Sequence, residues 1–118
     1  MNIESGNSGV DKAAVEHMKS LLEDSYTDVL AGYLSDAAVY IEAIAGALKK
    51  GDIAGAGEVA HKLKSGSGQF GFLAIEQVAA LIEHPEGKSA IALMADHARL
   101  KAAYDRSVRF LHAHSLAS

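Results

Sequence analysis

The residues best suited to chemistry lie between Glu58 and Gly71, in the stretch EVAHKLKSGSGQFG. His61 stands at its centre and Lys64 follows three positions later. On a helix, which turns about 100° per residue, that spacing puts an imidazole and an ammonium on one face, one turn apart. A neutral imidazole nitrogen can attack phosphorus and form a covalent phosphohistidine. Phosphoryl transfer needs in-line positioning and charge neutralisation more than acid–base chemistry. An ammonium one turn away can lie beside the phosphoryl oxygens.

The surroundings of the pair are small. Gly55, Gly57, Ser65, Gly66, Ser67 and Gly68 all fall in the same segment. Asp52 can cap a helix here, Gly51 ends what precedes it, and Gly71 is a natural stop. Each glycine inside a helix costs about 1 kcal/mol against alanine, so four cost about 4 kcal/mol. That cost predicts a close approach to the backbone. On a helical wheel Ala56, Val59, Ala60, Leu63, Ser67 and Phe70 form a core stripe on the side away from His61. Ala54, Gly57, Glu58, Lys64, Ser65 and Gly68 lie on the His61 side, which leaves room for a second protein to reach the imidazole. Gln69 lies toward Lys64 and is a candidate for contact with phosphate.

The run H-K-L-K-S-G-S-G-Q-F-G resembles the signature of histidine-containing phosphotransfer domains. Leu63, Lys64, Gly66, Ser67, Phe70 and Gly71 match its positions after the histidine, and Gly51-Asp52 matches its frequent lead-in. The resemblance extends over roughly residues 11–113. Ser65 departs from the family, which usually has glycine there; it could crowd a docking partner or add a hydroxyl near the phosphate. The resemblance implies a phosphorelay intermediate. His61 would take a phosphoryl group from a receiver-domain aspartate and pass it to another receiver. It implies response-regulator receiver domains and a hybrid sensor kinase as partners. It implies Mg²⁺ supplied by the receiver, with no cofactor or metal in this chain. In the family an acidic or amide side chain twenty-two residues after the histidine accepts from its Nδ1–H, and that position is Glu83. A non-catalytic adaptor or antagonist, with His61 only a contact residue, and a helical cofactor or metal protein are the alternatives.

The elements that must position these residues read as helices. The chain has 118 residues, 49% hydrophobic but only 6% aromatic, so Ala and Leu must fill the core. One proline and abundant alanine favour helix, and no stretch alternates long enough for a strand. Helices are expected from Asp11 to Glu23, from a Ser25 cap to Lys50, from Asp52 to Phe70, from Gly71 to His84, and from a Ser89 cap to His112. The last is expected to present Leu93, His97, Leu100, Tyr104, Val108 and Leu111 on one face. Short connections between them predict an all-α, antiparallel up-down four-helix bundle with a short extra N-terminal helix. Residues 1–9 are expected to be a flexible N-terminus, and residues 10–118 a single domain.

Charge and motif content narrow the function. A net charge of −4 argues against nucleic acid or an anionic membrane as partner. The absence of cysteine excludes a disulfide framework and a thiolate metal site. No apolar run approaching about 18 residues is evident, and a cytoplasmic monomer is expected. No nucleotide-binding fingerprint or kinase catalytic loop is present, so the chain is expected to be a phosphocarrier and not an ATP-dependent kinase. His17, His84, His97, His112 and His114 are read as ordinary surface or packing residues.

Overall fold

The computed structural model describes residues 8–118; residues 1–7 of the expected flexible segment lie outside the described residues. Helix α1 spans Lys12–Leu22 and leads through a 3₁₀ turn, Glu23–Ser25, into α2, Tyr26–Lys49. Then come α3, Ile53–Phe70, α4, Leu73–Glu83, and α5, Ala90–Ala113. The described residues contain no strand. Helix α2 packs on α3, α3 on α4 and α4 on α5, and α5 closes back on α2. The links are short, so neighbours run antiparallel and the four form an up-down bundle. Helix α1 is the extra element and touches α2 and α3.

Local chemistry sets most of the boundaries. Asp11 accepts from Ala14 N–H at 3.2 Å, Asp52 from Gly55 N–H at 2.9 Å, and Ser89 from Ala92 N–H at 3.1 Å. Ser25 does not cap α2: its backbone is helical and its hydroxyl makes no capping bond. The chain enters α2 from a 3₁₀ turn whose Glu23 carbonyl already accepts from Tyr26 N–H. Gly71 ends α3 in the left-handed conformation, φ 86° and ψ 19°. Phe72 N–H bonds Ser67 O at 2.9 Å and Gly71 N–H bonds Gly68 O at 3.3 Å, a Schellman motif. That turn sends α4 back along α3, which brings Glu83 level with the middle of α3.

The core stripe of α3 is Ala56, Ala60, Leu63, Ser67 and Phe70, with Val59 half-buried at its margin. Ile75, Ala79 and Ile82 face it from α4, and Leu30, Ile41, Ile44 and Leu48 from α2. The buried face of α5 is turned slightly from the expected one: it is Leu93, Asp96, Leu100, Ala103, Ser107, Phe110 and Leu111. His97, Tyr104 and Val108 lie half-buried beside it. Two polar residues hide that stripe in the sequence. Asp96 is buried because Lys88 and Arg99 reach it, at 2.9 and 3.3 Å. Ser107 satisfies itself by donating to Ala103 O at 2.8 Å.

The stretch Lys12–Lys49 contains an 18-residue window of mean hydropathy 1.3, long and apolar enough by composition to cross a membrane. This corrects the expectation that no run approaches that length. In the fold Leu30, Ala37, Ile41, Ile44 and Ala45 of α2 turn into the bundle core, while 28% of the window in all is buried.

Candidate functional site

The site is built where α4 ends against the middle of α3. Helix α3 presents His61 and Lys64 from one face, and the imidazole is 62% exposed. Glu83, the last residue of α4, reaches across the seam with a side chain only 13% exposed. Its two oxygens divide the work. Oε2 meets His61 Nδ1, and Oε1 faces the Lys64 ammonium. A third group stands beside them: His84 Nε2 is 3.4 Å from Oε1, an ion-pair separation longer than a hydrogen bond.

The protonation pattern follows from the carboxylate. The Lys64 ammonium beside Glu83 holds its carboxyl below the ordinary value of 4.5. Partial burial pushes the other way, and the His61 ring adds to the lowering. An ionised carboxylate only accepts, so the hydrogen between the two side chains is carried on His61 Nδ1. The nitrogen across the ring, Nε2, is then the one with a lone pair.

A groove of about 780 Å³ opens beside the imidazole. Ala54, Gly57 and Glu58 line it together with His61 and Glu83. So do Ile53, Lys62, His84 and Pro85, which the sequence alone did not single out. Ser65, Gly68 and Gln69 do not line the groove; Ser65 and Gln69 are exposed further along α3, and Gly68 is half-buried.

The close approaches to the α3 glycines come from within the chain. A side chain at Gly57 would meet the Glu83 carbonyl at 3.4 Å, and one at Gly66 the Tyr33 ring at 3.4 Å. One at Gly68 would strike the Glu76 carboxylate, and one at Gly55 the Asp52 cap. Gly57 thus lies against the end of α4, where a methyl would just touch the backbone and a larger side chain would press on it. Among the described residues no group of three histidine, aspartate or glutamate side chains is set to hold a metal ion.

The family model for the Hpt domain matches residues 28–110. The chain belongs to the Hpt domain family. No curated protein and no solved structure matches it significantly. Hpt domains are phosphocarrier modules of two-component phosphorelays, which work with receiver domains and histidine kinases and have no kinase activity of their own. The matched span contains α2 from its third residue, all of α3 and α4 and most of α5, with every residue of the His61 cluster; α1 lies before it. His84 is the member of the cluster that had no signal in the sequence beyond its place between Glu83 and Pro85.

Proposed function

We propose that this Hpt domain is a phosphorelay intermediate in which His61 accepts a phosphoryl group from the aspartyl phosphate of one receiver domain and passes it to another. The observation that carries the reading is the exposed His61 ring bonded through Nδ1 to Glu83, with Lys64 on the same carboxylate. The Nε2 lone pair attacks phosphorus. The bond from phosphorus to the aspartate oxygen breaks, and the carboxylate leaves with the electron pair. The Nδ1 proton stays between the ring and Glu83, which offsets the positive charge that grows on the imidazole. Lys64 neutralises the phosphoryl oxygens. Mg²⁺ belongs to the receiver's site, and this chain supplies no cofactor.

The groove of Ala54, Gly57 and Glu58 beside His61 is where the receiver docks, and Ser65, Gly68 and Gln69 form the far margin of that face. Residues 10–118 act as one domain, as a monomer in the cytoplasm.

Incubating the protein with a phosphorylated receiver tests the reading. The wild type should take label that is acid-labile and alkali-stable, as expected of a phosphohistidine. His61→Gln should take none while melting at nearly the wild-type temperature, since surface changes usually fall within about 0.5 kcal/mol. Label retained by that variant places the nucleophile elsewhere. Binding without label in the wild type makes the chain an adaptor or antagonist.

A further inference from the structure

Glu83 Oε1 is buried and has two nitrogen-bearing side chains beside it. Lys64 already faces Oε1, yet His84 Nε2 stands 3.4 Å from the same oxygen. His84 is placed there by the backbone. It is the C-cap of α4, with φ −118° and ψ 76°, and its own N–H bonds Ala80 O at 3.0 Å. Pro85 follows and disfavours a helical conformation at His84, so the chain cannot carry the ring onward around another turn. The ring is left lining the groove beside His61 and Glu83.

The geometry of Lys64 shows what the second neighbour is for. In the resting protein the ammonium is held on Glu83 Oε1. A phosphoryl group on His61 Nε2, on the far side of the ring, draws the ammonium toward that nitrogen and weakens its hold on Oε1. Oε1 would then lose its nearest cation on a side chain with little access to water. A poorly solvated carboxylate oxygen without a partner is costly, and the side chain would rotate to recover one. That rotation would take Oε2 off His61 Nδ1.

We propose that His84 is a positioning residue: its Nε2–H takes over Glu83 Oε1 when Lys64 moves to the phosphoryl group, and so keeps Oε2 on His61 Nδ1–H. The inference rests on the reading of His61 as phosphoryl acceptor. Lys64 and His84 alternate on one oxygen, and Glu83 stays ionised and oriented through the cycle.

Phosphoramidate is a suitable probe because it needs no partner protein. His61 Nε2 attacks its phosphorus, the phosphorus–nitrogen bond breaks, and ammonia leaves. The wild type, His84→Ala and His84→Gln are compared by the rate of phosphoryl uptake. The ¹³C shift of the Glu83 carboxyl is followed in the free and phosphorylated proteins. His84→Ala should slow uptake roughly threefold, the scale of one partly exposed charged contact. It should move the Glu83 carboxyl signal in the phosphorylated protein and leave it near wild type in the free one, where Lys64 still holds Oε1. His84→Gln should restore both, because its amide can donate at similar reach. An equal displacement of the signal in both states, or an uptake rate unchanged by His84→Ala, overturns the proposal and leaves the His61 reading intact. A wild type that takes no phosphoryl group on His61 overturns both.

Discussion

A carboxylate that serves a histidine must stay ionised, and at Glu83 this depends first on Lys64. The carboxyl is held below its ordinary value of 4.5, chiefly by that ammonium. The folded state therefore binds this proton less readily than the unfolded chain, so the stabilisation is present above about 4.5 and is lost as pH falls through the lower folded value. Thermal melts of the wild type and Glu83→Gln should accordingly differ fully above about pH 5 and converge on acidification below about 4.5. A gap that persists unchanged to pH 3 would remove the ionised carboxylate from the stability of the fold. Lys64→Ala should raise the midpoint of the Glu83 carboxyl titration, read by ¹³C NMR, because it removes the largest lowering influence. The same variant should slow phosphoryl transfer roughly tenfold while receiver binding changes less, since the ammonium matters most when charge is redistributed on phosphorus. Equal losses in rate and affinity would confine Lys64 to docking. His61 and Lys64 were legible in the sequence because their relation is local, one helical turn. The contact to Glu83 spans 22 residues and two helices, and no local motif pointed to it, only the family pattern and the hairpin expected around Gly71. The resting position of Lys64, folded onto Glu83 instead of held out for phosphate, had no sequence signal at all.

At the scale of elements, the glycines of α3 looked alike in the sequence and prove to do different things. Gly57 faces the Glu83 carbonyl, a backbone atom that cannot move without shifting the end of α4. Gly68 faces the Glu76 carboxylate, the flexible end of a side chain. Gly68→Ala should therefore be tolerated, with Glu76 turning aside and up to about 1 kcal/mol gained from helix propensity. Gly57→Leu should disturb the His61–Glu83 contact as well as fill the groove, and so slow phosphoramidate uptake, where no receiver is present to be blocked. If Gly57→Leu leaves that uptake at the wild-type rate and only receiver-dependent transfer falls, Gly57 serves docking alone. The same distinction separates two turn glycines. Gly51 has a positive φ but open space around it, so Gly51→Ala should cost about 1 kcal/mol from conformation only. Gly71 also has a positive φ, and a side chain there would come within 2.7 Å of the Ala14 side chain and 3.1 Å of Asp11 O. Gly71→Ala should cost at least about 2 kcal/mol by denaturant titration, strain and overlap together. Equal costs at the two positions would mean that α1 gives way without penalty. Helix boundaries set by Asp52, Ser89 and Gly71 were legible because each is one residue bonding its neighbours. The buried face of α5 was not, because the ion pairs that let Asp96 be buried come from Lys88, outside the helix, and from the exposed Arg99.

At the scale of the whole molecule, the chain before residue 28 and the chain after residue 110 extend the Hpt bundle at its ends. Gly9 O accepts from Ala74 N–H at 2.9 Å, and Asp11 N–H donates to Gly71 O at 2.8 Å, so the start of the described chain is strapped across the α3–α4 turn. Phe72 makes no side-chain capping bond for α4, and the Gly9 carbonyl serves in its place. Val10 is fully buried there, inside the segment that borders the expected flexible terminus. At the other end Tyr26 Oη donates to Leu116 O at 2.6 Å, 90 residues away. The four-helix plan was legible because each apolar stripe announces itself over several turns. These ties were not, because each is a single local contact between distant segments and leaves no periodic trace. They bear on stability and not on chemistry. His61 lies ten residues from Gly71, about 15 Å along the helix axis. Val10→Ala removes two buried methyl groups and should cost about 2 kcal/mol, and Tyr26→Phe removes one hydrogen bond and should cost about 1 kcal/mol. For a chain of 118 residues those losses correspond to falls in melting temperature of roughly 8 and 4 °C. Val10 sits at the α3–α4 turn and the Tyr26 bond goes to Leu116, so the double variant should show the sum. Phosphoramidate uptake, measured well below the lowered melting temperature, should match the wild type in all three. A normal melting temperature for Val10→Ala would detach the strap from the core, and slowed uptake in a folded variant would mean that the strap and the His61 cluster are coupled along α3.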